Sequence, residues 1–402
     1  MQNVAWFVPA WPPALGELVM LGALLVGGLL GGELVHRLAA LPRITGYVLA
    51  GVAFGPHALG LVREPHFAEA RVFIDLALGL IMFELGYRFD LAWLQRNRWL
   101  AVAALGESVG CFFAIYAGLM YLEFPPLLAA CAAAVGTATS PAVVMLVTHE
   151  LRASGQVTER MLLFTAVNCA SAYVALMLML PFLHLERAED WRSAILHPLY
   201  LLGGAALLGF VACLAMLALA RWLGKREDRQ FVLLVALIVL VVGLARAGNV
   251  TVVVALLTFG MFARNLDYDH ALLPLRFGYA AQLLFVVLFV LTGASLDFRA
   301  LATGGVAAAV FIVVRFLGKA LAILAFGRLS GLRAGGAGLL SVALLPMSGL
   351  AVVMVQDTVA LFPRFGTQLA AVVLSAAAVL ELLGPIATQF ALKAAGETHP
   401  EA

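Results

Sequence analysis

Apolar residues run along this chain in long stretches, parted by brief polar breaks, over nearly its whole length. The hydrocarbon core of a bilayer takes about 20 apolar residues per helix, with a range of about 17–25. On that ruler the pattern predicts thirteen segments: 14–36, 44–62, 70–87, 99–121, 124–147, 161–183, 194–219, 230–247, 249–263, 278–296, 301–327, 335–360 and 366–392. The eighth and ninth part only around Gly248 and Asn249, and the second is short. The loops are short, so residues 1–402 read as one all-α polytopic membrane domain with no soluble domain inserted or appended.

Two segments are interrupted. The fifth carries Gly136-Thr137-Ala138-Thr139-Ser140-Pro141, and the twelfth carries Pro346-Met347-Ser348-Gly349. Proline removes a backbone donor and clashes with the preceding turn, so each helix must open there. In hydrocarbon the freed N–H and C=O groups need partners, and such a break persists only inside protein or beside water. The two prolines are 205 residues apart, and the fourth and eleventh segments begin 202 apart. An offset of seven segments makes the second copy run the opposite way through the membrane, as in an inverted repeat. Paired interrupted helices in corresponding halves point to the binding site of a secondary transporter.

Charge adds orientation. Loops on one face hold seven Lys and Arg residues and those on the other hold sixteen, the latter including Arg37, Arg43, Arg88, Arg160 and Arg221 to Arg229. The positive-inside rule then places the N-terminus outside and the C-terminus in the cytoplasm, in a cell inner membrane. Two cations remain within the bilayer, Arg315 and Lys319, one helical turn apart in the eleventh segment. Each costs about 2.5–3.5 kcal/mol at mid-membrane on insertion scales, so both should face the interior with partners or water. Two acids lie deep in core segments, Glu107 in the fourth and Glu381 in the thirteenth. They are the expected partners of the cations and the candidate proton carriers, with Glu107 the first choice. Nearer the ends, Glu33 with Arg37, Glu84 with Arg88, and Arg71 with Asp75 have the spacing of i,i+4 ion pairs. Gly27, Gly28, Gly31 and Gly32 form two overlapping GxxxG patterns, expected to pack on a neighbour within the chain in preference to a dimer seam.

At 63% hydrophobic and 12% charged residues, the composition lies far outside that of soluble domains. A net charge of +2 without a basic run leaves no case for a nucleic-acid partner. Cys111, Cys131, Cys169 and Cys213 all lie in apolar runs without CxxC or histidine spacing, so neither a disulfide framework nor a metal site is expected. The N-terminus has no Lys or Arg and so lacks the charged region of a signal peptide. Nothing implies a cofactor, and no nucleophile–base set or Gly-rich phosphate loop suggests an enzyme.

With these residues in view, the chain resembles the monovalent cation:proton antiporter superfamily, in particular the membrane domain of Kef-type and related sodium/proton exchangers. The resemblance rests on LPRITGYVLAGVAFGP (Leu41 to Pro56), DLALGLIMFELGYRFD (Asp75 to Asp90), TATSP (Thr137 to Pro141), RFLGK (Arg315 to Lys319) and PMSGLA (Pro346 to Ala351). It implies an NhaA-like inverted repeat with two crossed discontinuous helices. A mobile core would comprise about 70–183 and 301–392, and a dimerisation scaffold about 14–62 and 194–296. The implied partners are a monovalent cation (Na+ or K+), a proton, membrane lipid and a second copy of the chain. The implied ion and proton pathway takes in Thr137, Thr139, Ser140, Asn168, Cys169, Glu107, Arg315, Lys319, Ser348 and Glu381.

One departure matters. Members of the superfamily carry an Asn-Asp or Asp-Asp pair on the helix after the first broken one, and its aspartate binds the ion or proton. Here Asn168 fits the first member and Cys169 stands where the aspartate should be; Phe164 replaces an exchanger-type glutamate five residues earlier. A thiol has an ordinary pKa near 8.5, rises when desolvated, and is a poor ligand for a hard ion. Asn168 can offer an alkali ion its carbonyl but cannot carry a proton. Three functions follow: a cation:proton antiporter with a relocated carboxylate, the same fold carrying an anion drawn by Arg315 and Lys319, or a transport-inactive sensor or subunit.

Overall fold

The computed structural model describes residues 17–56, 58–62, 64–185, 191–267, 272, 278–296, 298–347 and 349–399. Among them are sixteen helices and no strand. The first half runs α1 (Glu17–Ala39), α2 (Arg43–Phe54), α3 (Glu64–Tyr87), α4 (Leu91–Arg96), α5 (Arg98–Tyr121), α6 (Pro126–Thr137), α7 (Pro141–Glu150) and α8 (Gln156–Leu185). The second runs α9 (Trp191–Leu223), α10 (Glu227–Ala247), α11 (Val252–Leu266), α12 (Gly278–Ala294), α13 (Phe298–Gly327), α14 (Ala334–Ala343), α15 (Gly349–Leu361) and α16 (Pro363–Ala394). Each apolar segment of the sequence coincides with one helix or, at the fifth and twelfth, with a broken pair; the short α4 is additional. Among the described residues eight spans are long and apolar enough to cross a bilayer, and five further apolar helices are shorter. Of the thirteen expected crossings, five lie outside these eight spans: four rest on the shorter helices, with α14 and α15 sharing one, and the fifth is α3.

Helix packing sorts the elements into two groups. In one, α5 lies on α13, and α6, α8, α14, α15 and α16 gather around that pair. In the other, α1 packs on α2, α2 on α12, and α11 on α9 and α3. α3, counted with the core by its sequence position, thus makes its largest contacts with α11 and α12.

Small residues set the close approaches. α5 and α13 run antiparallel, with Gly110 against Ala322 and Gly118 against Val314, while Gly318 faces Ala114 and the backbone at Cys111. The glycines of α1 face Phe54, Val286, Val290, the backbone at Gly46 and Tyr47, so they serve packing within the chain, as expected. Large apolar side chains stay exposed along α1, α5, α9, α10 and α13, among them Leu30, Phe113, Leu207, Val232 and Val306. An apolar exterior of this extent suits lipid, where no hydrophobic penalty attaches to it.

Charged residues assigned by sequence to the same face do meet. Glu33 pairs with Arg37 at 2.6 Å and with Arg43 at 3.2 Å. Glu84 pairs with Arg88 at 3.5 Å and with His149 at 3.2 Å. Arg43 also reaches Glu150 on α7, through its backbone N–H at 3.1 Å and its guanidinium at 3.3 Å. Beyond α16, Glu397 accepts hydrogen bonds from the N–H groups of Val157 and Thr158, 2.8 and 2.7 Å, and from the Thr158 hydroxyl. Those are donors of the first turn of α8, which has no earlier carbonyl to offer them. At the opposite face Asp75 of α3 pairs with Arg246 of α10, seven helices away in sequence. The expected pairing with Arg71 falls on a side chain outside the described ones.

The α2–α12 seam gives a clean test. A Cβ at Gly51 would run into the carbonyl of Val290, whereas one at Gly203 meets open space. Gly51→Ala is expected to destabilise the protein by about 1–3 kcal/mol through overpacking. Gly203→Ala should be neutral or stabilise by about 0.5–1 kcal/mol. Thermal unfolding of the two variants in detergent, followed by tryptophan fluorescence, checks the difference.

Candidate ion and proton site

The site is built by what the breaks leave unpaired. α6 ends at Thr137, and α7 restarts at Pro141 with Ser140 as its N-cap, the Ser140 hydroxyl accepting the Val143 N–H at 3.4 Å. Proline fits the first helical position because its missing donor would have been unpaired there. The second break opens between Ala343 and Gly349, within which Ser348 lies outside the described residues. The breaks touch directly: the Ser140 N–H donates to the Pro346 carbonyl at 3.0 Å.

Arg315 lies where the two breaks meet and is fully buried. Its Nε donates to Gly136 O at 2.7 Å and its Nη1 to Leu345 O at 2.7 Å. Its Nη2 donates to Ala138 O at 2.8 Å and to Pro346 O at 3.3 Å. The C-terminal ends of α6 and α14 carry the negative partial charge of their helix dipoles, and one guanidinium answers both. A planar fork of five N–H donors is suited to this; an ammonium would reach fewer acceptors.

Lys319, one turn on, serves the first break. Its Nζ lies 2.5 Å from Glu107 Oε1, 3.2 Å from Thr137 O and 3.3 Å from Thr139 Oγ1. Both partners of this ion pair are buried, and Glu107 Oε2 has no hydrogen-bond partner among the described residues. Asn168 on α8 points its amide nitrogen at Thr139 Oγ1, 3.0 Å away, and its carbonyl oxygen accepts the Ser108 hydroxyl at 2.7 Å. The oxygen expected to meet an ion is therefore already engaged, and Asn168 holds Thr139 in position. The Cys169 thiol donates to Thr139 O at 3.4 Å. Thr137 turns its hydroxyl back to Ala134 O at 2.5 Å.

Every carbonyl from Ala133 to Thr139 thus has a donor, which is the condition for keeping an opened helix in a dry interior. Around the second break, Thr388 of α16 donates to Ala343 O at 3.1 Å, and Gly384 abuts Pro346. Glu381, one turn before Gly384, is buried in the same helix. Of the residues named from sequence, the structure brings together Glu107, Thr137, Thr139, Ser140, Asn168, Cys169, Arg315 and Lys319. Ser108 and Thr388 carry no signal in the sequence, since a hydroxyl in an apolar helix usually bonds only its own backbone.

Two crossed, interrupted helices around buried charges, in a multi-pass membrane protein, form the frame of a secondary transporter, not of an enzyme. The chain belongs to the sodium/hydrogen exchanger family, whose transmembrane domain matches residues 21–394. Its fold is similar to that of the sodium proton antiporter MjNhaP1 from Methanocaldococcus jannaschii. Against the structure of that protein at pH 8 the TM-score is 0.68, at 16% identity, over 94% of this chain and 97% of the other. Against its electron-microscopy structure the TM-score is 0.69, at 16% identity, over 96% and 99%. An uncharacterized protein in the phaC 3' region of Methylorubrum extorquens is 34% identical over 97 residues, which is 24% of this chain and 34% of that protein's length.

The guanidinium's role makes a prediction. Arg315→Met leaves carbonyls of both breaks without a donor, at about 1–3 kcal/mol for each one unsatisfied. It is expected to abolish the folded, monodisperse peak in detergent size exclusion. Arg315→Lys, which keeps the charge and loses the fork, should fold with a lowered melting temperature.

Proposed function

We propose that the chain is a proton-coupled antiporter of a monovalent cation, Na+ or K+, working by alternating access at the crossed breaks. The observation that carries this is the state of the buried cations. Arg315 is engaged by four carbonyls and Lys319 by Glu107, two backbone or hydroxyl oxygens completing its shell. A carrier of anions needs cationic donors free for its substrate, whereas Lys319 is held by Glu107 and the Arg315 guanidinium donates to backbone carbonyls. A buried carboxylate–ammonium pair among oxygen ligands is instead suited to cations and protons.

The packing supports a core of α5–α8 with α13–α16, and a scaffold of α1–α3 with α9–α12. A small cavity at their junction, lined by Leu78, Phe289 and Thr292 on one side and Ser140, Pro141 and Gly349 on the other, supports a route to the breaks along this boundary. The exposed apolar faces of the scaffold would meet lipid and a second copy of the chain. In a cell inner membrane the face bearing Arg37, Arg88, Arg160 and the 221–229 loop would be cytoplasmic, following the positive-inside rule.

Two measurements test this reading. In proteoliposomes, addition of Na+, K+ or Li+ is expected to dissipate an imposed pH gradient; no response to any of the three would exclude antiport of these ions. For orientation, all four native cysteines are buried, so Lys225→Cys, at an exposed position of the 221–229 loop, can be labelled selectively with a membrane-impermeant maleimide. Labelling is expected in inverted vesicles and not in intact cells.

A further inference from the structure

Resting on the antiport reading, we propose that Glu107 of α5 is the cation-binding carboxylate, taking the part that Cys169 of α8 cannot play. Three oxygens of different chemistry already converge on one monovalent cation, the Lys319 ammonium: a carboxylate at 2.5 Å, the Thr137 carbonyl at 3.2 Å and the Thr139 hydroxyl at 3.3 Å. Such hard oxygen donors are the ligands an alkali ion takes. The second carboxylate oxygen, Glu107 Oε2, is buried without a hydrogen-bond partner among the described residues. Leaving a buried acceptor unmatched is unfavourable, and a bound metal ion would satisfy it.

The geometry also explains how the acid moved between helices without leaving the site. Cys169 and the Glu107–Lys319 pair both address Thr139, the thiol at its carbonyl and the ammonium at its hydroxyl. Ser108, beside Glu107, holds Asn168, and Asn168 holds Thr139. The ligand oxygen of Thr139 is thereby oriented by residues of α5 and α8 together.

A monovalent ion bound there takes the place of the Lys319 ammonium among these oxygens, one unit charge for another, while Arg315 stays on its four carbonyls.

The test uses the purified full chain. Binding of radioactive Na+ and of the K+ analogue Rb+ is measured in detergent at alkaline pH, and exchange is measured in proteoliposomes. Wild type is expected to bind one of these ions and to exchange it for protons. Glu107→Gln should weaken binding by about 100-fold or more, as the only carboxylate ligand is lost. Glu227→Gln, at an exposed acid in the first turn of α10, should bind as wild type does. Because Glu107→Gln strands the Lys319 charge, the double variant Glu107→Gln/Lys319→Gln serves as the charge-balanced control, and it too should not bind. Wild-type affinity in a folded Glu107 variant overturns the assignment while antiport by wild type stands. Loss of binding in Glu381→Gln, with binding kept in Glu107→Gln, overturns it as well. Absence of exchange in wild type itself removes the antiport reading and this inference with it.

Discussion

The arrangement depends on one guanidinium answering the carbonyl ends of two helices that approach from opposite sides. An opened helix in a dry interior has acceptors that neither lipid nor water can satisfy. Arg315 meets both breaks at once, so it is also what registers the two halves of the repeat against each other. That duty constrains α13, which must run close to the crossing and can do so because Gly318 and Gly110 thin the seam with α5. The same close approach brings Lys319 within reach of Glu107. The ion pair and the scaffold of the breaks are thus products of one helix–helix contact.

Charge in this interior divides between two kinds of partner. Arg315 is balanced by dipoles that belong to the backbone and cannot be titrated, so its surroundings stay the same over any working pH. Lys319 is balanced by the formal charge of the Glu107 carboxylate. A single turn of α13 therefore separates a cation held by dipoles from one held by a countercharge.

Much of this was legible in the sequence for definite reasons. Pro141 and Pro346 announce the breaks because proline cannot continue a helix, and Arg315 with Lys319 stand out because charge is rare in hydrocarbon. The pairing of Lys319 with Glu107 follows from having few buried charges to match. The role of Asn168 was not legible: which of its two amide atoms faces the site depends on Ser108, 60 residues away and on another helix. Nor could sequence position assign α3, since its neighbours α11 and α12 lie far along the chain and contact is decided by shape. That Arg246 of α10 reaches Asp75 was not legible either, because a partner so distant in sequence leaves no spacing to read.

The Glu397 carboxylate bears on where this membrane domain ends. Hydropathy closes the last helix at 392, and the family's extent stops at 394. Both limits fall short of the side chain that satisfies two backbone N–H groups at the start of α8. Removing such a cap typically weakens a helix end by about 0.5–2 kcal/mol. A boundary drawn where the apolar residues stop would trim away a few polar residues and, with them, the anchorage of a helix more than two hundred residues upstream. The domain is closed by chemistry that lies outside the membrane it was made for.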